Sequence, residues 1–403
     1  MASDVTEEKL RAWWAHRQGL DGGLTGSSAA DVLARTGWSR SVGGCTPYLG
    51  LFARGGVARE AADADVAALR IHELPSARGC TYVLPRQDFA LGLVVGGEAP
   101  RGDIAAAGRH LGVTPAEIDG LCARVLAALE AADGPMDPAD LRRACGDAVR
   151  SLGAEGKKRG QSTTLPMALG LLQARGEIRR VSINGRLDQQ RFSYVRWSPS
   201  PLSGNDLDLE TARTELARRY FTWAGPASLR HFRWFSGLTA AAARTAVAPL
   251  DLAPVRGTDL LLLPGDVATF ESFTVPRRPQ YALVAGIDGI HLLHREMNRL
   301  FDPDDLRRPE PGGKPGRTLG DESDPQCPII VDRGRIVGLW EYDIDATEIV
   351  YWSFVSPDAA MKEAVARTEE FVREQLGDAR TSILDSPQSR APRIADLRAA
   401  THG

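Results

Sequence analysis

The stretch DPADLRRACGDAVRSLGAEGKKRGQSTTLPMALGLLQARGEIRRVSINGRLDQQRFSYVRW, residues 137–197, decides the fold. Asp137 is a side-chain cap ahead of Pro138 in the first helical turn, and Leu141, Ala144 and Val149 carry the apolar spacing onward. Gly153 to Gly160 breaks that spacing. Ser162-Thr163-Thr164 then stands where a cap belongs for a second helix through Leu165, Met167, Leu169, Leu171 and Leu172, which Gly176 closes. Ile178 to Ile183 and Arg191 to Trp197 alternate apolar with polar residues, as half-buried strands do, and Asn184-Gly185 between them is a hairpin signal. Helix, turn, helix, hairpin is the order of a winged helix.

Basic residues collect at two places in this unit. Lys157, Lys158 and Arg159 precede the second helix, with Gln161, Ser162, Thr163 and Thr164 at its mouth; Arg179, Arg180 and Arg186 lie on the wing. Helix N-termini offer free N–H groups and partial positive charge, so cations beside one make a phosphate seat. Such a unit is expected to hold double-stranded DNA, with Gln161 able to touch a base edge. The plainer alternatives are a solvated loop and a winged helix that contacts protein.

Working outward, 403 residues with 43% hydrophobic and 25% charged content describe a globular chain of several domains. A net charge of −3 excludes a generally basic binder, so any DNA contact must use local patches. Cys45, Cys80, Cys122, Cys145 and Cys327 form no CxxC pair, which argues against a disulfide framework or zinc site and for a reducing cytoplasm. No Walker A loop, dinucleotide fingerprint or His/Cys cluster is present, and no cofactor is expected. Neither a signal peptide nor a membrane-spanning run is evident, which points to a cytoplasmic protein, nucleoid-associated when on DNA, and a monomer is expected.

Upstream, helices are expected over Thr6 to Leu20, Ala29 to Thr36 under a Ser28 cap, from Thr46-Pro47, over Arg59 to Ile71, Gln87 to Val95, Asp103 to Gly112 and Thr114 to Asp133, with a strand at Cys80 to Leu84. Ser198 to Asp206 reads as a linker. Beyond it the same order returns: helices Glu210 to Trp223, Ser228 to Phe235 and Thr239 to Pro249, then strands Leu252 to Val255 and Asp259 to Leu263. Glu310 to Pro325 reads as a mobile loop, Ile329 to Val331 and Arg335 to Glu341 as a hairpin joined by Glu348 to Phe354, Ala359 to Leu376 as a long helix, and Ser386 to Arg393 as an extended basic tail. In that tail, Gln388, Arg390 and Arg393 add DNA contact or strap the tail to the body. The tryptophans sit at core spacing. The fold class is mainly α with small β-hairpins, arranged as 1–112 (helical, winged-helix-like), 113–198 (winged helix), 207–264 (second winged helix) and 265–403 (hairpins, long helix and tail).

Several segments resemble the AlkZ-like (YcaQ-like) DNA glycosylases, winged-helix proteins associated with crosslink repair. Thr46-Pro47-Tyr48-Leu49-Gly50-Leu51 is similar to the family's Pro-Tyr-Leu-Ala-Leu helix, and Arg78-Gly79-Cys80-Thr81-Tyr82 to its Arg-Gly-Thr-Leu-His strand. Tyr220 through Leu238 resembles its Tyr-Gly-Pro-Ala-Thr and Trp-Trp-Ser-Gly-Leu pattern, and Val331 to Trp340 its late hairpin. The resemblance implies tandem winged helices forming a concave, positive DNA-holding surface, and hydrolysis of the N-glycosidic bond of alkylated or bulky purines. That chemistry needs an acceptor to position or activate water and groups that stabilise an oxocarbenium-like sugar. Where relatives carry Gln-x-Gln or Gln-x-Asp, counting back from Pro47 gives Arg40 and Val42, neither of whose side chains accepts a hydrogen bond. The alternative is therefore a non-catalytic DNA binder, a transcription regulator or lesion sensor. Glu73 and Tyr82 are the candidate catalytic residues, each with a plainer reading as a solvated carboxylate and a core tyrosine; His72 is a weaker candidate proton donor and Gln18 a weaker candidate to orient water. Arg40 and Arg78 join the DNA-binding set.

Overall fold

The structure is a computed structural model that describes residues 5–189 and 191–401. Helices predominate, as expected, with four small antiparallel sheets among the described residues. Capping chemistry sets many helix starts. The side chains of Thr6, Ser28, Asp137, Asp208 and Thr239 each accept from the first-turn backbone, and Thr114 with Glu117 forms a capping box.

The strands are β1 (Ser39–Arg40), β2 (Ile71–Pro75), β3 (Thr81–Pro85), β4 (Ile178–Ser182), β5 (Phe192–Arg196), β6 (Ala253–Pro254), β7 (Leu261–Leu262), β8 (Tyr281–Val284), β9 (Ile329–Asp332), β10 (Arg335–Asp343) and β11 (Glu348–Ser353). The first sheet runs β1-β3-β2, the largest β11-β10-β9-β8, and β4–β5 and β6–β7 are two-stranded. The helix expected to reach Ile71 stops at Ala67. Leu69 turns to φ 51°, Arg70 N closes onto Asp65 O at 2.8 Å, and the chain leaves directly into β2, a strand the sequence did not announce. The tail is likewise no extended segment. Residues Pro387–Thr401 are helical, and Arg390, only 1% exposed, pairs with Asp378 at 2.8 Å while Arg393 pairs with Glu341 at 2.6 Å. Burial lifts the Glu341 carboxyl to about 7 against the opposing pull of Arg393. The strap alternative is the one seen.

Four buried clusters organise the interior. One is local: Ile104 through Ile178 close on themselves through the helices Glu98–Leu111, Pro115–Ala131, Pro138–Cys145 and Leu165–Ala174. The other three join distant segments. Leu49 and Val83 share a cluster with Ile330 and Phe371, Trp13 and Trp14 share one with Leu339 and Leu397, and Leu84 shares one with Phe221 and Phe235. Trp13, Trp14, Trp223 and Trp340 are buried, each indole N–H donating to a backbone carbonyl at 2.7–3.2 Å, as core tryptophans must.

Candidate functional site

The first sheet separates the two candidate catalytic side chains. Across β2 and β3, Glu73 stands opposite Val83 and Leu74 opposite Tyr82; across β1 and β3, Ser39 stands opposite Val83 and Arg40 opposite Tyr82. Paired residues share a face and successive residues alternate, so Glu73 and Ser39 project to one side and Tyr82 and Arg40 to the other. The sheet itself stands between Glu73 and Tyr82.

On the Tyr82 face, burial against Trp38 and Phe235 pushes the phenol well above its ordinary range, and the Arg40 guanidinium sits 5.5 Å over the ring while donating to Thr81 O at 2.8 Å. Tyr82 is a packed core residue here. On the other face, Glu73 is 7% exposed; Ser41 Oγ donates to one carboxylate oxygen, and Arg180 of β4 pairs with the other at 3.2 Å. Ser41 lies between Arg40 and Val42, so a carboxylate reaches the loop where relatives carry their motif. Sequence reading missed that partnership, because Glu73 is 32 residues away on an unforeseen strand. His72 is also buried, and burial, reinforced by the charges of Arg179 and Arg180, lowers it to about 3. It is neutral at pH 7 and lacks the imidazolium proton that a general acid gives up. Gln18 is a hub: it donates to Thr36 O at 2.7 Å and Trp223 O at 3.0 Å and accepts from Arg54, which pairs with Asp288 through 2.7 and 2.9 Å contacts. Gln18, Thr36, Arg54 and Asp288 line a water-sized cavity of about 20 Å³.

The basic tip is open. Lys157, Lys158 and Arg159 are exposed at the end of the short helix Gly153–Lys158, and only Lys158 meets a carboxylate among the described residues, Glu155 at 2.7 Å. Ser162 is exposed and Gln161 and Thr163 half-buried. Thr164 does not cap with its side chain: it is fully buried and its hydroxyl accepts from Arg150 N at 3.1 Å. The following helix, Leu165–Ala174, turns Leu165, Met167, Ala168, Leu169, Leu171, Leu172 and Gln173 into the core. It presents no charged side chain before Arg175, so a DNA contact by this unit falls to 157–163 rather than to the helix expected to read bases.

The wing behaves differently. Asn184-Gly185 makes a turn but does not close the hairpin; the paired strands end at Ser182 and Phe192, and the segment 186–188 between them reaches across the molecule. There Arg186 grips Asp188 and donates to Leu376 O at 3.2 Å, Leu187 N donates to Tyr48 Oη at 2.8 Å, and Arg380 donates to Asp188 O at 3.1 Å. Arg180 is held by Glu73 and Phe192, and Arg179 is half-buried. Arg78, by contrast, is exposed in a left-handed turn at φ 59°, its guanidinium 4.5 Å over Trp234, with Arg295 4.7 Å over the same indole. Trp234 and Arg295 also line a cavity of about 650 Å³ with Arg230, Glu296 and Arg299.

A DNA-repair fold is what these elements define when set against known proteins. The chain superposes on the Streptomyces sahachiroi DNA glycosylase AlkZ with a TM-score of 0.68 over 94% of this chain and 99% of that one, at 19% identity, a likeness of fold. The sequence profile of the family described as DNA glycosylase AlkZ-like matches residues 44–367. This protein belongs to the AlkZ-like DNA glycosylase family. That match begins just past Arg40 and Val42. No curated protein matches the sequence. Among the described residues no helix is long and apolar enough to cross a membrane.

Proposed function

We propose that the protein binds duplex DNA as a monomer through the exposed 157–163 tip and Arg78, and hydrolyses the N-glycosidic bond of an alkylated or bulky purine with Glu73 as the acceptor. Family membership supports the reaction class, and the observation that carries the assignment is the Ser41–Glu73–Arg180 arrangement beside the departed motif. An N7-alkylated purine is cationic and leaves with the bonding electron pair. Water adds to the sugar carbon, its proton passes to a carboxylate, and the negative oxygen stabilises the oxocarbenium-like sugar. A carboxylate serves this purpose and Arg40 does not. Binding occurs in the cytoplasm, at the nucleoid, with no nucleotide cofactor.

A second reading, binding without excision, is favoured by the motif loop itself. Segment 380–383 covers it: Cys45 N donates to Arg380 O at 2.8 Å, Ile383 N donates to Val42 O at 3.3 Å, and a Cβ on Gly44 would lie 2.1 Å from Thr381 O. Incubation with a duplex containing N7-methylguanine separates the two. Free base and alkali-labile sites from the wild type, lost at least a hundredfold in a Glu73→Gln variant that still binds the duplex, is the expected result. Tight binding with no release would leave the binder.

A further inference from the structure

The turn ahead of the C-terminal helix carries two of the four large hydrophobic side chains exposed among the described residues: Ile383 at 49% and Leu384 at 84%. A third, Ile183 at 63%, lies in the wing loop, which is tied to the 376–380 segment leading into that turn by the Arg186 and Arg380 bonds. A lone exposed leucine is ordinary. This pair is not loosely held. Asp385 accepts from Thr381 N and Ser382 N at 3.2 Å each, Ser382 Oγ accepts from Leu384 N at 3.2 Å, and Arg393 ties Asp385, at 3.1 Å, to the buried Glu341. The turn is also seated on the motif loop, through Ile383 N to Val42 O and Cys45 N to Arg380 O. Arg191, whose carbonyl accepts from Ile183 N at 3.1 Å, is exposed in the wing loop, and Asp385, the one acidic residue of the 380–386 turn, is already paired with Arg393, so the turn offers no free carboxylate to repel an anionic partner.

A stiffly mounted aliphatic pair beside a glycosylase loop has a chemical match in duplex DNA. Proteins that kink or open a duplex insert Leu, Ile or Phe between base steps, replacing lost stacking with apolar contact. We propose that Ile383 and Leu384 form a wedge that enters the base stack at a gap or weakened step, beside the Val42 loop on which the turn is seated. The wedge rests on the DNA-binding reading above and extends it to a preference for disrupted stacks.

The probe is a duplex in which a tetrahydrofuran abasic analogue faces 2-aminopurine, compared with the intact duplex of the same sequence. The wild type should bind the abasic-analogue duplex about tenfold tighter and change the 2-aminopurine emission. The full-length variant I383A/L384A, altered only at exposed side chains and checked by an unchanged melting temperature, should keep its affinity for intact duplex and lose most of both effects. A variant that retains the preference and the emission change overturns the wedge. So does a wild type that binds both duplexes equally, an outcome that leaves DNA binding standing; failure to bind either duplex sinks that reading as well. A concentration-dependent dimer dissolved by I383A/L384A would assign the surface to a second copy and overturn the proposal.

Discussion

The tip and the wing of the 137–197 stretch are both basic in sequence and opposite in surroundings. Lys157 and Arg159 point to solvent without a carboxylate partner among the described residues, whereas Arg180 and Arg186 are consumed by Glu73, Asp188 and the Leu376 carbonyl. The difference lies in what distant chain supplies. Glu73 and Leu376 come from segments about a hundred or more residues away, and no local count of charges reveals them. A run of arginines is evidence of a nucleic-acid face only after its internal partners are known.

The comparison breaks most visibly at Arg180. Removing it strands a carboxylate that is 7% exposed, and loss of one partner of a buried pair costs about 3–5 kcal/mol. Arg180→Ala should therefore lower the denaturation midpoint sharply. A midpoint within experimental error of the wild type would mean that Glu73 is solvated and that the wing arginine is spare. Arg186→Ala loses charged hydrogen bonds to Asp188 and Leu376 O, for about 1–3 kcal/mol, and should loosen the 183–189 segment to proteolysis. Resistance equal to the wild type would argue that the loop docks without it.

A smaller effect follows from the histidines. Burial lowers His72 to about 3 and His294 to about 4, below the ordinary 6.5. Above pH 6.5 neither the folded nor the unfolded chain protonates them, and full stability is present. As pH falls below 6.5 the unfolded chain takes up protons that the folded one refuses, so each histidine removes about 1.4 kcal/mol per pH unit until its folded value is reached. Denaturant unfolding between pH 7 and pH 5 should show this slope, reduced by one proton in His72→Leu; an identical slope in that variant would contradict the burial of His72.

Much of the fold could be read from local chemistry. Ser28 and Asp137 cap where expected, and the β9–β10–β11 meander lies where its apolar runs place it. What could not be read depended on long-range partners. Strand β2 is hidden because Ile71 continues a helical spacing until Leu69 turns left-handed, and β8 becomes a strand only through β9. Arg54 lies on the helix that carries a family-like motif, yet its partner Asp288 is 234 residues away. In the candidate site, Glu73 was picked out but not Ser41, the residue that links it to the motif loop. Tyr82 was picked out for its position in a motif, although the sheet register turns it away from Glu73 and into the core.

The division between tip and wing is tested most directly by the salt dependence of duplex affinity, measured for wild type, the Lys157→Ala/Lys158→Ala/Arg159→Ala triple variant and Arg186→Ala. Each lost phosphate contact removes about 0.9 from the slope of log K against log salt. A shallower slope for the tip variant, with Arg186→Ala matching the wild type, is the predicted result. An unchanged slope for the tip, or an equal fall for the wing, would contradict it.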